Sequence, residues 1–208
     1  MYQKYIKRFL DIVLSFSIIV IISPILLILG LIVLIFMGSP IIFTQERIGK
    51  NENKFYMKKF RSMTNKKDNF GDLLPEKDRL TKFGTLLRST SLDELPELFN
   101  ILKGDMSFVG PRPLPTYYMP YFYDNERVRH KVKGGLIPPD SLSLKSYTSW
   151  EEQFEYEIDY VSNISFALDI KIIISTFIIL FKRVNEDYGS EFRPHLNKYR
   201  QDINKVEV

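Results

Sequence analysis

From Ile12 to Met37 the chain carries no charged residue, and nearly every position is Ile, Leu, Val, Phe or Met. A run of that length exceeds the roughly 20 residues that cross a hydrocarbon core. A secretory signal sequence fits less well, despite the basic start at Lys4, Lys7 and Arg8. Its apolar region spans about 7–15 residues and ends in small residues at a cleavage site. A straight transmembrane helix meets two obstacles. Ser23-Pro24 lies near the middle, where proline removes a backbone hydrogen bond and crowds the preceding turn. Basic residues also flank both ends, with Arg47, Lys50, Lys54, Lys58, Lys59 and Arg61 following the run, so the positive-inside tendency draws both ends to the cytoplasm. The pattern predicts a re-entrant membrane helix broken at Ser23-Pro24, with a kinked spanning helix as the alternative.

Beyond the anchor the periodicities shorten. Ile41 to Thr44 and Lys54 to Arg61 read as two strands around the turn-rich stretch Gly49 to Asn53. Residues 64–82 are polar and read as loop. Leu92 to Leu102 has apolar positions at helical spacing and stops before Gly104, and Gly110-Pro111-Arg112-Pro113 reads as rigid irregular backbone. Trp150 to Tyr160 reads as a helix with Glu151, Glu152 and Glu155 on its polar side. Asp169 to Phe181 is apolar, too short to span, and suits a helix lying in the membrane interface. The expected fold class is α+β, mainly helical, with a small β-hairpin and amphipathic interfacial helices. Residues 1–40 form the anchor, 41–183 a cytoplasmic catalytic domain, and 184–208 a polar C-terminal tail.

Composition adds exclusions. The 208 residues are 45% hydrophobic and 26% charged, ordinary averages that conceal how unevenly the apolar residues are spread. There is no cysteine, which removes disulfides, thiolate metal sites and thiol nucleophiles. His130 and His195 are the only histidines, too few for a multi-histidine metal site. The net charge of +4 is also uneven: residues 41–90 carry twelve Lys/Arg against six Asp/Glu, and residues 141–208 eight against eleven. A basic block beside a membrane segment attracts anionic headgroups and phosphates. Without a nucleic-acid motif it gives no reason to expect nucleic-acid binding.

The densest chemistry lies in Ser91-Leu92-Asp93-Glu94-Leu95-Pro96-Glu97. Ser91 with Glu94 three residues on spells a capping box, although Pro96 disturbs a helix starting at Ser91. The same carboxylates could act on phosphorus, one as nucleophile and its neighbour as a ligand for Mg²⁺ on a diphosphate. Lys59, Arg61, Arg88 and Arg112 could offset charge on phosphoryl oxygens. No Walker loop, dinucleotide fingerprint or nucleophile elbow is present.

Three stretches together resemble the bacterial sugar transferase family, the monotopic polyprenol-phosphate phosphoglycosyl transferases, and most of all its short members. They are Lys58 to Met63, Arg88 to Pro96, and Leu102 to Pro113, and the similarity runs from the N-terminus to about residue 183, including Asn163-Ile164-Ser165 and Leu168 to Lys171. The resemblance implies attack by Asp93 on the β-phosphorus of a UDP-sugar, release of UMP, and transfer of the phosphosugar from Asp93 to polyprenol phosphate. It implies Mg²⁺ on Glu94, and Lys59, Arg88 and Arg112 holding phosphates and nucleotide. It also implies membrane lipids around an anchor broken at Ser23-Pro24, and the cytoplasmic face of the bacterial inner membrane.

One region departs from the family. Gly134-Gly135-Leu136-Ile137-Pro138-Pro139-Asp140 replaces the usual Pro-Gly-Ile-Thr-Gly, Lys145 stands for Arg, and Glu157 for Asp. Lysine lacks the bidentate fork of arginine, so these substrate-binding positions predict an altered sugar or nucleotide preference. The departures leave room for two other readings: a membrane-tethered binding protein, or a UDP-sugar pyrophosphatase in which water replaces the lipid acceptor.

Overall fold

A computed structural model describes residues 1–145, 147–183 and 193–206. The long apolar run forms α1, Lys7–Met37, preceded by a wide helical turn at Tyr2–Ile6. Helical backbone continues through Pro24, so Ser23-Pro24 is a proline inside one helix and not a gap between two. Pro24 offers no N–H to the Val20 carbonyl four residues earlier, and the Ser23 hydroxyl donates to that carbonyl at 2.9 Å. The pair therefore replaces a backbone donor with a side-chain donor. Ile21 and Ile35 are 75% and 77% exposed. The helix from Tyr2 to Met37 is long and apolar enough to cross a membrane, and its bare apolar surface suits membrane association.

The chain divides into two compact units, one of Ile12–Gln45 and Tyr56–Lys103, the other of Met1–Asp11, Glu46–Phe55 and Gly104–Val208. In the first, Leu29, Val33 and Met37 of α1 pack with Phe60 and Leu87. Phe60 ends β2, Lys54–Phe60, which pairs with β1, Ile42–Ile48, as the expected hairpin. Polar residues 64–82 are not wholly loop, since they include the short α2, Glu76–Arg79. Then come α3, Lys82–Ser89, and α4, Glu97–Lys103. Arg61 is buried and its guanidinium donates to the carbonyls of Met37, Ser39, Pro40 and Met63. Considered from sequence as a phosphate ligand, Arg61 instead satisfies carbonyls at the open C-terminal end of α1, where a cation also meets the negative end of the helix dipole.

In the second unit, β3, Ser107–Val109, runs parallel to β4, Gly135–Ile137, with Ser107 opposite Gly135 and Val109 opposite Ile137. A Cβ on Gly135 would lie 2.1 Å from the Gly110 nitrogen, so this approach requires glycine. Two helices follow: α5, Trp150–Ser162, with a full capping box from Ser149 and Glu152, and α6, Phe166–Arg183. The stretch read as a polar tail contains α7, Leu196–Val206. Leu196 is fully buried with Ile48, Leu114, Tyr118, Phe122, Trp150 and Phe154. Its few apolar positions were masked by polar neighbours in the sequence.

His130 is 6% exposed, with its ring edge-on to Phe122 and its Nδ1 3.4 Å from Glu52. Burial, reinforced by the charges of Arg129 and Arg127, pushes its imidazole down to about 3. The folded protein therefore binds fewer protons here than the unfolded chain. Stability from this group is complete above about pH 6.5 and declines with acidity, by at most about 1.4 kcal/mol per pH unit. A thermal midpoint measured from pH 7 to pH 4 should fall less steeply in His130→Gln than in wild type. Identical slopes would contradict this.

Candidate active site

The first unit assembles four of the expected site residues, Lys59, Arg88, Asp93 and Glu94. Lys59 sits near the end of β2 and shares the face of buried Met57 by strand alternation. Asn100 of α4 holds the strand there: its amide donates to the Tyr56 carbonyl at 2.8 Å, and its Oδ1 accepts from the Lys58 N–H at 3.0 Å. A side chain thus imitates a neighbouring strand beside Lys59.

The Asp-Glu pair lies on a turn and not in the helix expected from Leu92 onward. Ser91 adopts φ 55°, makes no side-chain cap bond, and leads into a 3-10 turn, Leu92–Glu94. The capping box read from Ser91 and Glu94 is therefore absent. Pro96 immediately precedes α4, where a missing N–H breaks no helical bond. The turn buries Asp93, 7% exposed, while Glu94 reaches Lys59.

The Lys59 ammonium lies 2.6 Å from Glu94 Oε1 and 3.2 Å from Glu97 Oε1. Burial pushes the Asp93 carboxyl above its ordinary range. Lys59 opposes the shift, Glu94 reinforces it, and Arg88 opposes it in turn. Arg88 is placed by α3, and its Nε donates to Ser62 Oγ at 3.0 Å. One turn earlier, a Cβ on Gly84 would meet the Ser62 carbonyl oxygen at 1.9 Å. Glycine thus lets α3 approach Ser62 closely enough for Arg88 to reach it.

Arg112, Lys145 and Glu157 belong to the other unit. Arg112 is exposed on the loop after β3. Lys145 is an exposed ammonium 2.5 Å from Glu152. Glu157, expected to bind substrate, is fully buried. It accepts from the Arg112 backbone N–H at 2.8 Å, Arg129 Nε at 2.7 Å and Gln153 Nε2 at 2.9 Å. Its carboxylate is committed to holding the Arg112 loop, which makes it a positioning group.

Sequence reasoning passed over Glu97, Asn100 and Ser62 as site residues. Glu97 was visible as a third acid in the segment, but its partner Lys59 is remote in sequence. Among the described residues, no three His, Asp or Glu side chains form a metal cage. That donor set still fits Mg²⁺, which is commonly held by one or two carboxylates together with phosphate oxygens and water. Glu94, paired with Lys59 and with 21% of its side chain exposed, is the carboxylate that would hold it.

The profile of the bacterial sugar transferase family matches residues 2–183. An uncharacterized sugar transferase of Bacillus subtilis, EpsL, is 42% identical over 171 residues, 82% of this chain and 85% of that one. A UDP-glucose:undecaprenyl-phosphate glucose-1-phosphate transferase of Klebsiella pneumoniae is 38% identical, covering 85% of this chain and 39% of its own length. An undecaprenyl-phosphate galactose phosphotransferase of Salmonella typhimurium is 34% identical, with 87% and 41% covered. The chain spans about two fifths of the length of these last two relatives.

A buried carboxylate that is costly to ionise has a measurable signature. Because the Asp93 pKa is raised on folding, its charge opposes folding at neutral pH, and Asp93→Asn relieves this. The variant's thermal midpoint at pH 8 should equal or exceed that of wild type, with any advantage fading toward pH 4. A lower midpoint at pH 8 would show that the site stabilises the anion.

Proposed function

This chain belongs to the bacterial sugar transferase family, and on that footing we propose that it moves a sugar 1-phosphate from a UDP-sugar to polyprenol phosphate, releasing UMP. The observation that carries this reading is Asp93 itself: a buried carboxylate on a tight turn, within the electrostatic influence of Lys59 and Arg88. A carboxylate freed of water by burial is a stronger nucleophile, and adjacent cations draw a diphosphate toward it.

In the first step an Asp93 carboxylate oxygen bonds to the β-phosphorus of the donor. The bond from that phosphorus to the bridging oxygen breaks, and UMP departs with the electron pair. In the second step an oxygen of polyprenol phosphate attacks the same phosphorus. The aspartyl phosphate bond breaks and Asp93 is again a carboxylate. Lys59 and Arg88 offset charge on the equatorial oxygens, and Lys59 holds Glu94 and Glu97 in place. Mg²⁺, held by Glu94, would neutralise charge on the donor diphosphate. Arg112 is proposed as a ligand for donor phosphate or nucleotide, and Lys145 as a contact that biases donor preference.

The apolar α1 and its basic flanks support placing the catalytic residues on the cytoplasmic face of the inner membrane. The same flanks support a re-entrant path for α1. Relatives named for undecaprenyl phosphate support a long polyprenol as acceptor.

Purified protein in lipid nanodiscs, given UDP-sugars and undecaprenyl phosphate, should release UMP with ping-pong kinetics. Asp93→Asn should reduce turnover by at least about a thousandfold, since an amide is a poor nucleophile. Full activity in that variant would refute the mechanism, and UMP release equally fast without the lipid phosphate would indicate a pyrophosphatase. The pH profile offers a second check. The nucleophile must be ionised, so activity should fall as pH drops through the raised Asp93 value. Lys59 lowers that value, so residual activity in Lys59→Met should fade at higher pH than in wild type. An acid limb shifted downward would contradict the assignment.

A further inference from the structure

Residues 193–206 lie beyond the stretch matched by the family and have no role in the chemistry derived so far. They are nonetheless tightly built into their unit. Leu196 is fully buried, Tyr118 Oη and His195 Nδ1 are 2.8 Å apart, and Arg200 Nη2 donates to buried Glu126 at 2.5 Å. Arg193 makes the most directed contacts. Its guanidinium stacks 3.6 Å from the centre of the Trp150 ring, while Trp150 Nε1 donates to the Pro194 carbonyl at 3.0 Å.

The same guanidinium joins two loops. Arg193 Nη1 donates to the carbonyls of Thr148 and Ser149, each at 3.2 Å. Thr148 Oγ1 in turn donates to Asp140 at 2.9 Å, which ties Arg193 to the segment that departs from the family. On its other side Arg193 Nη2 donates to Gln153 Oε1 at 2.7 Å. Gln153 Nε2 donates to Glu157 Oε1 at 2.9 Å, and that oxygen accepts the Arg112 N–H at 2.8 Å. Arg129 closes the circuit, donating to Glu157 at 2.7 Å and to the Arg112 carbonyl at 2.6 Å. Gln153 and Glu157 are 1% and 0% exposed, so water does not compete for these bonds. A planar fork with three acceptors and a stacking face is a geometry that lysine cannot reproduce.

We propose that residues 193–206 form a clamp in which Arg193 is the positioning residue. Through Gln153 and Glu157 it fixes the backbone of Arg112, and through Thr148 it holds Asp140, so that the clamp sets affinity and preference for the donor sugar nucleotide. The clamp deepens the transferase reading and rests on it for the role of Arg112. Its mechanical part, the restraint of the Arg112 loop, does not depend on that reading. Loss of the clamp should weaken donor binding without altering the nucleophile.

The test uses the full chain in nanodiscs, with UDP-glucose, UDP-galactose and UDP-N-acetylgalactosamine as donors. Arg193→Ala should raise KM for the preferred donor at least about tenfold, change the ranking of the three, and leave kcat within about threefold. Amide exchange across residues 107–113 should become faster in the same variant, while that of α4 stays unchanged. Arg193→Lys should show the same changes in smaller measure, and it serves if the alanine variant does not fold. Ile179→Ala removes a buried α6 side chain outside the circuit, so it should lower the thermal midpoint without moving KM or loop exchange. Unchanged KM and exchange in Arg193→Ala would overturn the clamp, as would equal changes in Ile179→Ala. Were wild type to release no UMP from any donor, the transferase reading would fall, and exchange across 107–113 alone would decide for or against the restraint.

Discussion

The Lys59 ammonium sits between Glu94 and Glu97, and its charge also reaches Asp93. Three carboxylates within five residues of chain could not share a half-buried turn and helix start without a counter-charge, because desolvated like charges repel and each would resist ionisation. Lys59 supplies that charge from a different element. Much of the local construction serves to deliver it there: Asn100 braces the β2 backbone on either side of Met57, and α3 approaches Ser62 closely at Gly84. Removing Lys59 would cost more than the cluster contributes as a whole, since its carboxylates would stay buried without their counter-charge.

Arg61 lies two residues beyond Lys59 and closes the C-terminal end of α1. The strand that carries the ammonium is thereby fastened to the end of the membrane segment. For the proposed transfer to a lipid acceptor, this fastening ties the site cation to α1. The run Lys59-Phe60-Arg61 combines a site cation, a core side chain packed on α1, and a cap on that helix.

Much of this was legible in the sequence. The apolar run, the hairpin and the helices at Trp150 to Tyr160 and Asp169 to Phe181 follow from hydrophobic spacing, although the latter begins earlier, at Phe166, and the Asp93-Glu94 pair stands out by acid density. The reading failed where the deciding interaction was distant in sequence. Ser91 and Glu94 had the spacing of a capping box, yet Pro96 and the pull of Lys59 favour a left-handed residue and a 3-10 turn. Glu157 is a candidate ligand in the sequence because it stands where the family has Asp, and only its burial against Arg129 and the Arg112 N–H reveals a positioning role. Leu196 was hidden in a polar stretch, although one fully buried leucine helps to dock α7. The parallel pair of β3 and β4 spans three residues each, too short for an alternation to register.

The central claim is that Asp93 becomes covalently phosphorylated by the donor. Its most direct test is mass spectrometry of the full chain after brief incubation with a UDP-sugar in the absence of any lipid acceptor. The expected result is a gain of one sugar phosphate, located on the peptide that contains Asp93 and lost when undecaprenyl phosphate is added. Release of UMP only with acceptor present and with no such adduct, or an adduct at another residue, would contradict it.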